Sequence, residues 1–147
     1  DDVAANLAVA ERWVTEHPDT EFDFFLPPYS ILFWDKVIRE GRTEAVFAAI
    51  RQAGQTLLQY DNVKFYGYLM DPEIVTNLDN YCDYIHHSGG VCREILAMLQ
   101  REEGRLTEEN LEETLANWRE FVVHYDYDQF WDERFWIQWN AEHAAAP

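Results

Sequence analysis

Asn77-Leu78-Asp79-Asn80-Tyr81-Cys82-Asp83-Tyr84-Ile85-His86-His87-Ser88-Gly89-Gly90 lies between a β-branched, aromatic segment, Val63 to Met70, and an amphipathic one, Val91 to Glu103. The first reads as a strand and the second as a helix. A polar loop between a strand and a helix is where an open α/β sheet binds its ligands, outside the C-terminal ends of its strands.

Working outward from this loop, helix and strand signals alternate. Val3 to Thr15 reads as a helix with Leu7, Ala10, Trp13 and Val14 inward, ended by His17-Pro18. Glu21 to Leu26 reads as a short strand stopped by Pro27-Pro28, and Ile31 to Glu40 as a helix. Thr43 is placed to cap a helix running through Tyr60, with Val46, Ile50, Ala53 and Leu57 inward. Asp61-Asn62 makes a turn into the Val63 to Met70 strand. After the loop, Val91 to Glu103 turns Ile95, Met98 and Leu99 inward and Gly104 closes it. Thr107 is placed to cap a last helix to about Val123, and Tyr125 to Trp139 is dense in aromatic residues. The order implies an α/β fold with parallel strands. Two parallel strands leave faces and edges uncovered, so the sheet reads as the C-terminal portion of a larger one. Residues 1–147 read as a single domain, with 125–147 as an aromatic-rich arm.

The chain has 147 residues, 28 Asp+Glu against 11 Lys+Arg and a net charge of −17. That balance excludes nucleic acid and anionic membrane surfaces as partners, since phosphate binding needs clustered Lys and Arg. A solvated acidic surface keeps an aromatic-rich chain soluble. No apolar run approaches the roughly 20 residues of a membrane-spanning helix, and no stretch of the sequence given reads as a signal peptide, which decides little about a parent whose start is missing. The chain opens on Asp1, so a truncated or processed product is expected. Cys82 and Cys92 flank His86, and spacing leaves both a disulfide and two free thiols open.

Asp83 precedes His86 by one turn of loop. A carboxylate so placed can hold an imidazole in one tautomer and stabilise its charged form, which is two thirds of a catalytic triad. The plainer reading is a surface Asp that caps the next helix. Ser30 and Ser88 are the only serines, and neither sits in a Gly-x-Ser-x-Gly setting. Tyr29 and Ser30 follow the first strand and are expected to reach the same sheet edge, lining a cleft or packing over the core. Asp79, Asp83, His86 and His87 match no zinc spacing. His124, Asp126, Asp128 and Asp132 lack the spacing and turn Gly of a calcium loop. No metal and no cofactor is expected. The aromatic tail can stack on sugars or cover a core.

Phe24-Phe25-Leu26-Pro27-Pro28-Tyr29-Ser30-Ile31-Leu32-Phe33-Trp34, then Asn62-Val63-Lys64-Phe65-Tyr66, the Asn77 to Ser88 block and Leu106-Thr107-Glu108-Glu109-Asn110 together resemble the C-terminal half of bacterial SGNH (GDSL-like) hydrolases of the cell-envelope subgroup. The resemblance spans roughly Val3 to Trp131 and implies a flavodoxin-like three-layer α/β/α sandwich with a parallel sheet. It implies Asp83 as orienting acid, His86 as general base, and Tyr29, Ser30 and His87 near a substrate cleft. His87 departs mildly, standing where that subgroup more often has Tyr. The nucleophile and oxyanion-hole blocks are absent and would belong to an upstream half of the same domain. The expectation is then a serine esterase or O-acyltransferase acting on an acylated carbohydrate or envelope polymer. An extracytoplasmic or cell-envelope location and self-association of the half-sheet accompany it. The alternative is a non-enzymatic glycan- or protein-binding module.

Overall fold

The computed structural model describes residues 2–130. In chain order these form α1 (Asp2–Glu16), β1 (Phe22–Phe25), α2 (Ile31–Arg39), α3 (Thr43–Leu57), β2 (Val63–Tyr66), α4 (Pro72–Val75), α5 (Gly89–Gln100), β3 (Arg105–Leu106) and α6 (Leu111–His124). Short 3-10 turns occupy Tyr68–Met70, Leu78–Asn80 and Tyr127–Phe130. The fold is α/β, as the alternation of signals implies.

β1 and β2 pair in parallel, with Phe24 beside Phe65. β3 then adds to the far edge of β2 in the opposite sense, with Leu106 beside Phe65. The sheet is therefore mixed, and this corrects the expectation of a parallel sheet. The cause is local. Gly104 adopts a left-handed φ of 71°, which a residue without Cβ reaches freely. The chain reverses there, and the Gly67 N–H donates to the Gly104 carbonyl at 3.0 Å. Arg105 and Leu106 are thereby laid along β2.

Side chains alternate across a strand, so Val63 and Phe65 face one side of the sheet and Lys64 and Tyr66 the other. On the first side, Val63, Phe65 and Leu106 join Val14, Trp34, Phe47, Ile50, Leu115 and Trp118 in the main core. On the second, Tyr66 packs with Tyr68, Ile74, Val91, Ile95 and Met98. The result is three layers, with α1, α2, α3 and α6 on one face and α5 on the other. Trp34 is fully buried at the centre of the larger core, its ring 5.2 Å from Phe47 and 6.1 Å from Trp118. Full burial of one such side chain contributes on the order of 1.5–3 kcal/mol.

Several boundaries differ from the sequence reading. Trp13 is 49% exposed, because α1 turns Leu7, Ala10 and Val14 inward and Trp13 falls off that stripe. α3 begins at Thr43 with Arg42 at its cap and ends at Leu57, and no side chain caps its first turn. Strand pairing of β2 ends at Tyr66, where the chain coils into the 3-10 turn at Tyr68–Met70. Thr107 does not cap α6. Its N–H and hydroxyl form reciprocal bonds with Asn110, and the helix starts at Leu111. Asn62, read as a simple turn residue, donates its amide to the carbonyls of Val14, His17 and Thr20 and so ties the end of α1 to the entry of β2. Tyr125, Tyr127 and Phe130 of the aromatic arm pack on the main core; residues 131–147 lie outside the described residues. Among the described residues no helix is long and apolar enough to cross a membrane.

Candidate functional site

β1 and β2 run parallel, so the segments leaving their C-terminal ends emerge on one side of the sheet. The two stretches singled out in the sequence meet there. The Tyr81 hydroxyl donates to the Pro28 carbonyl at 2.8 Å. Ser30 donates its N–H, at 3.1 Å, and its hydroxyl, at 3.0 Å, to the Tyr84 carbonyl. Burial pushes the Tyr81 hydroxyl well above the ordinary tyrosine range. The Pro-Pro segment is thus a rigid shelf to which the Tyr81 to Ser88 loop is stapled.

The loop also closes on itself. Cys82 N–H donates to the His86 carbonyl at 2.9 Å, and Ser88 N–H to the Asn80 carbonyl at 2.7 Å. Tyr81 and His87 form an isolated antiparallel bridge. Ser88 caps α5, its hydroxyl oxygen accepting the Val91 N–H at 3.5 Å. It is Ser88, then, and not Asp83, that starts the next helix.

Asp83 folds back on its own turn. One carboxylate oxygen accepts the N–H groups of Ile85, at 2.9 Å, and His86, at 2.8 Å. The other lies 2.6 Å from His86 Nδ1. The His86 contact first, and the two backbone donors after it, hold the Asp83 carboxyl down to about 2. A carboxylate only accepts, so Nδ1 carries the proton of this bond. The ring is 73% exposed. The pair presents an oriented imidazole to solvent, and at such exposure it contributes little to stability.

The other named residues separate. Ser30 is 0% exposed, with its hydroxyl committed to Tyr84. It anchors the loop, which corrects its placement in a cleft. His87 is half-buried and turns Nδ1 toward Cys92 Sγ, 3.6 Å away. Cys82 and Cys92 are exposed free thiols. Among the described residues no three His, Cys, Asp or Glu side chains come together to hold a metal ion.

Tyr29 packs against the main core and stands in the wall of a cavity of about 370 Å³ between α2 and the stapled loop. Phe33, Val37, Val46, Tyr84 and Ile85 supply the apolar lining, and Lys36, Glu40 and Arg42 the charge. Lys36 Nζ stands 5.4 Å from the centre of the Tyr84 ring. The sequence reading missed these three charged residues; the signal available was three of the chain's 11 cations, Lys36, Arg39 and Arg42, within two helical turns of an acidic sequence. A second cavity of about 370 Å³, beside β3 between Tyr68, Asp71, Glu73 and Arg105, touches neither stretch. The first cavity is the candidate site, because both stretches converge on it.

No family model matches the chain, and no solved structure matches it. Two curated proteins are similar to it, UPF0735 ACT domain-containing proteins of Lacticaseibacillus casei and Lacticaseibacillus paracasei. Each is 24% identical over 90 residues, which cover 61% of this chain and 62% of the relative. The chain therefore matches less than two thirds of the length of these relatives. These matches overturn the resemblance to SGNH hydrolases and the esterase or acyltransferase activity it implied. What the chain is similar to, over these 90 residues, is a protein named for an ACT domain and not for a reaction.

Proposed function

We propose that this chain is a non-enzymatic binding module that takes a small molecule in the cavity between α2 and the Tyr81 to Ser88 loop. The observation that carries this reading is the cavity itself. It combines rings and branched apolar side chains with charged groups of both signs, the composition of a small-molecule site. Its walls are preorganised, because the loop carrying Tyr84 and Ile85 is held by the Ser30 and Tyr81 bonds. Asp83 and His86 sit on the same loop, His86 directly after Ile85, with the imidazole oriented by the carboxylate. The name of the similar proteins, which specifies a domain and no reaction, supports the same direction.

The test is a thermal-shift screen of a metabolite library on the full chain and on Val46→Trp, which fills the cavity with an indole. A ligand at a hundred times its Kd adds about 2.7 kcal/mol to stability, a readily measured shift. Compounds that stabilise the native chain and not the filled variant support the reading. A library without such compounds, or hits indifferent to Val46→Trp, sinks it.

A further inference from the structure

We infer that the ligand of this cavity is an organic monoanion, a single carboxylate carried on an aromatic or branched apolar body. The inference rests on the binding reading above and names the ligand class of that site. Two cations and one carboxylate line the cavity, in a chain whose net charge is −17. The local excess of positive charge is thus opposite in sign to the molecule as a whole. Its partners do not neutralise it firmly. Glu40 is the acid both cations share, and it reaches them at long range: 3.4 Å to Lys36 Nζ and 3.3 Å to Arg42 Nη1. By contrast Arg39, next along the helix, holds Asp35 at 2.7 Å.

All three side chains are well exposed, Lys36 at 51%, Glu40 at 41% and Arg42 at 65%. Exposed ion pairs of this kind contribute little and exchange easily. A ligand carboxylate can therefore displace Glu40, and a planar guanidinium accepts a carboxylate through two parallel N–H bonds. Charge selects one end of the ligand and the rings select the other. Tyr29 and Phe33 meet at 5.0 Å with their planes tilted, and Val46 and Ile85 complete an apolar wall. A cationic ligand would have Glu40 alone, already flanked by Lys36 and Arg42. A dianion would exceed the charge the two cations offer once Glu40 is counted.

The experiment is an NMR titration of the full chain with 3-phenylpropionate, 3-phenylpropionamide and phenylalanine. These share one ring and differ in charge. The carboxylate should move the amides of Lys36 to Arg42 and of Tyr84 and Ile85, and bind at least about tenfold tighter than either analogue, because the amide loses the charge-assisted hydrogen bond and phenylalanine brings an ammonium beside Lys36 and Arg42. Lys36→Gln and Arg42→Gln, both at exposed positions, should each weaken it about tenfold. Glu40→Gln should tighten it, by removing the internal competitor. If the amide or phenylalanine binds as well, or Glu40→Gln weakens binding, the monoanion inference falls while the cavity's role stands. Absence of any saturable shift with all three probes overturns the inference; the library screen with Val46→Trp then decides the broader reading separately.

Discussion

Ser30 gives both of its donors to one acceptor, the carbonyl oxygen of Tyr84, at 3.1 Å from the backbone and 3.0 Å from the hydroxyl. A residue fully buried at the end of one strand segment thereby fixes the loop that follows another.

Ser30→Ala keeps the backbone bond and loses the hydroxyl. We expect a loss of about 1 kcal/mol in denaturant unfolding, the net worth of one intramolecular hydrogen bond. Amide exchange should quicken at Ile85 and His86 and stay unchanged in α3. An unchanged stability together with unchanged loop exchange would remove Ser30 as the anchor.

The Asp83 carboxyl is held down to about 2 by His86 and by the N–H groups of Ile85 and His86. Its folded pKa is depressed, so the support it gives the loop is complete above the usual carboxylate range and is lost as pH falls toward about 2. A carboxyl-carbon NMR titration should find Asp83 among the last carboxylates to protonate. The loop amides should shift in the same window, and Asp83→Asn should abolish that step. A midpoint in the usual carboxylate range would contradict the turn geometry.

Gly104→Ala meets two obstacles. The site has a left-handed φ of 71°, and an added Cβ would come within 3.1 Å of the Tyr68 ring. Strain and overpacking together predict a loss of about 1–3 kcal/mol. The comparison variant is Gly89→Ala, whose Cβ meets nothing closer than the Arg93 guanidinium at 3.8 Å. Equal unfolding midpoints for the two would refute the role of Gly104 in turning the chain into β3.

Trp34 is fully buried with its indole N–H unpartnered among the described residues. Trp34→Ala should cost about 3–5 kcal/mol through the cavity it leaves. Trp34→Phe should cost much less, because it also removes a buried donor that has no acceptor. Similar losses for both would mean that the N–H is satisfied in solution.

The helices were legible because their apolar spacing is regular; Val14, Ile50, Leu57, Ile95 and Met98 are all buried where periodicity put them. β3 was not legible, since two residues carry no period and the pairing depends on a reversal at Gly104. The convergence of the Pro-Pro segment and the Asp83 loop followed from parallel strand order alone. What each side chain does there did not follow. Ser30 and Tyr29 are neighbours in a polar-looking stretch, yet one is sealed in the core and the other lines the cavity. Only the backbone path distinguishes them. The charges of the cavity went unread because Lys36 and Arg42 lie on a helix and its exit, away from the motif that drew attention. The hydrolase resemblance rested on short blocks whose hydrogen bonds are largely internal to the loop and shelf.

Phe24 and Phe65 lie side by side in the sheet, yet α2 and α3 both intervene in the chain. Parallel pairing across such a crossover closes a long loop before any contact rewards it. The strand pairing, and the staple from Ser30 to Tyr84 beyond it, thus join segments far apart in the chain and carry the loop-closure entropy of that crossover. A ligand held in the cavity would bind across this long-range closure and add to its stability by mass action.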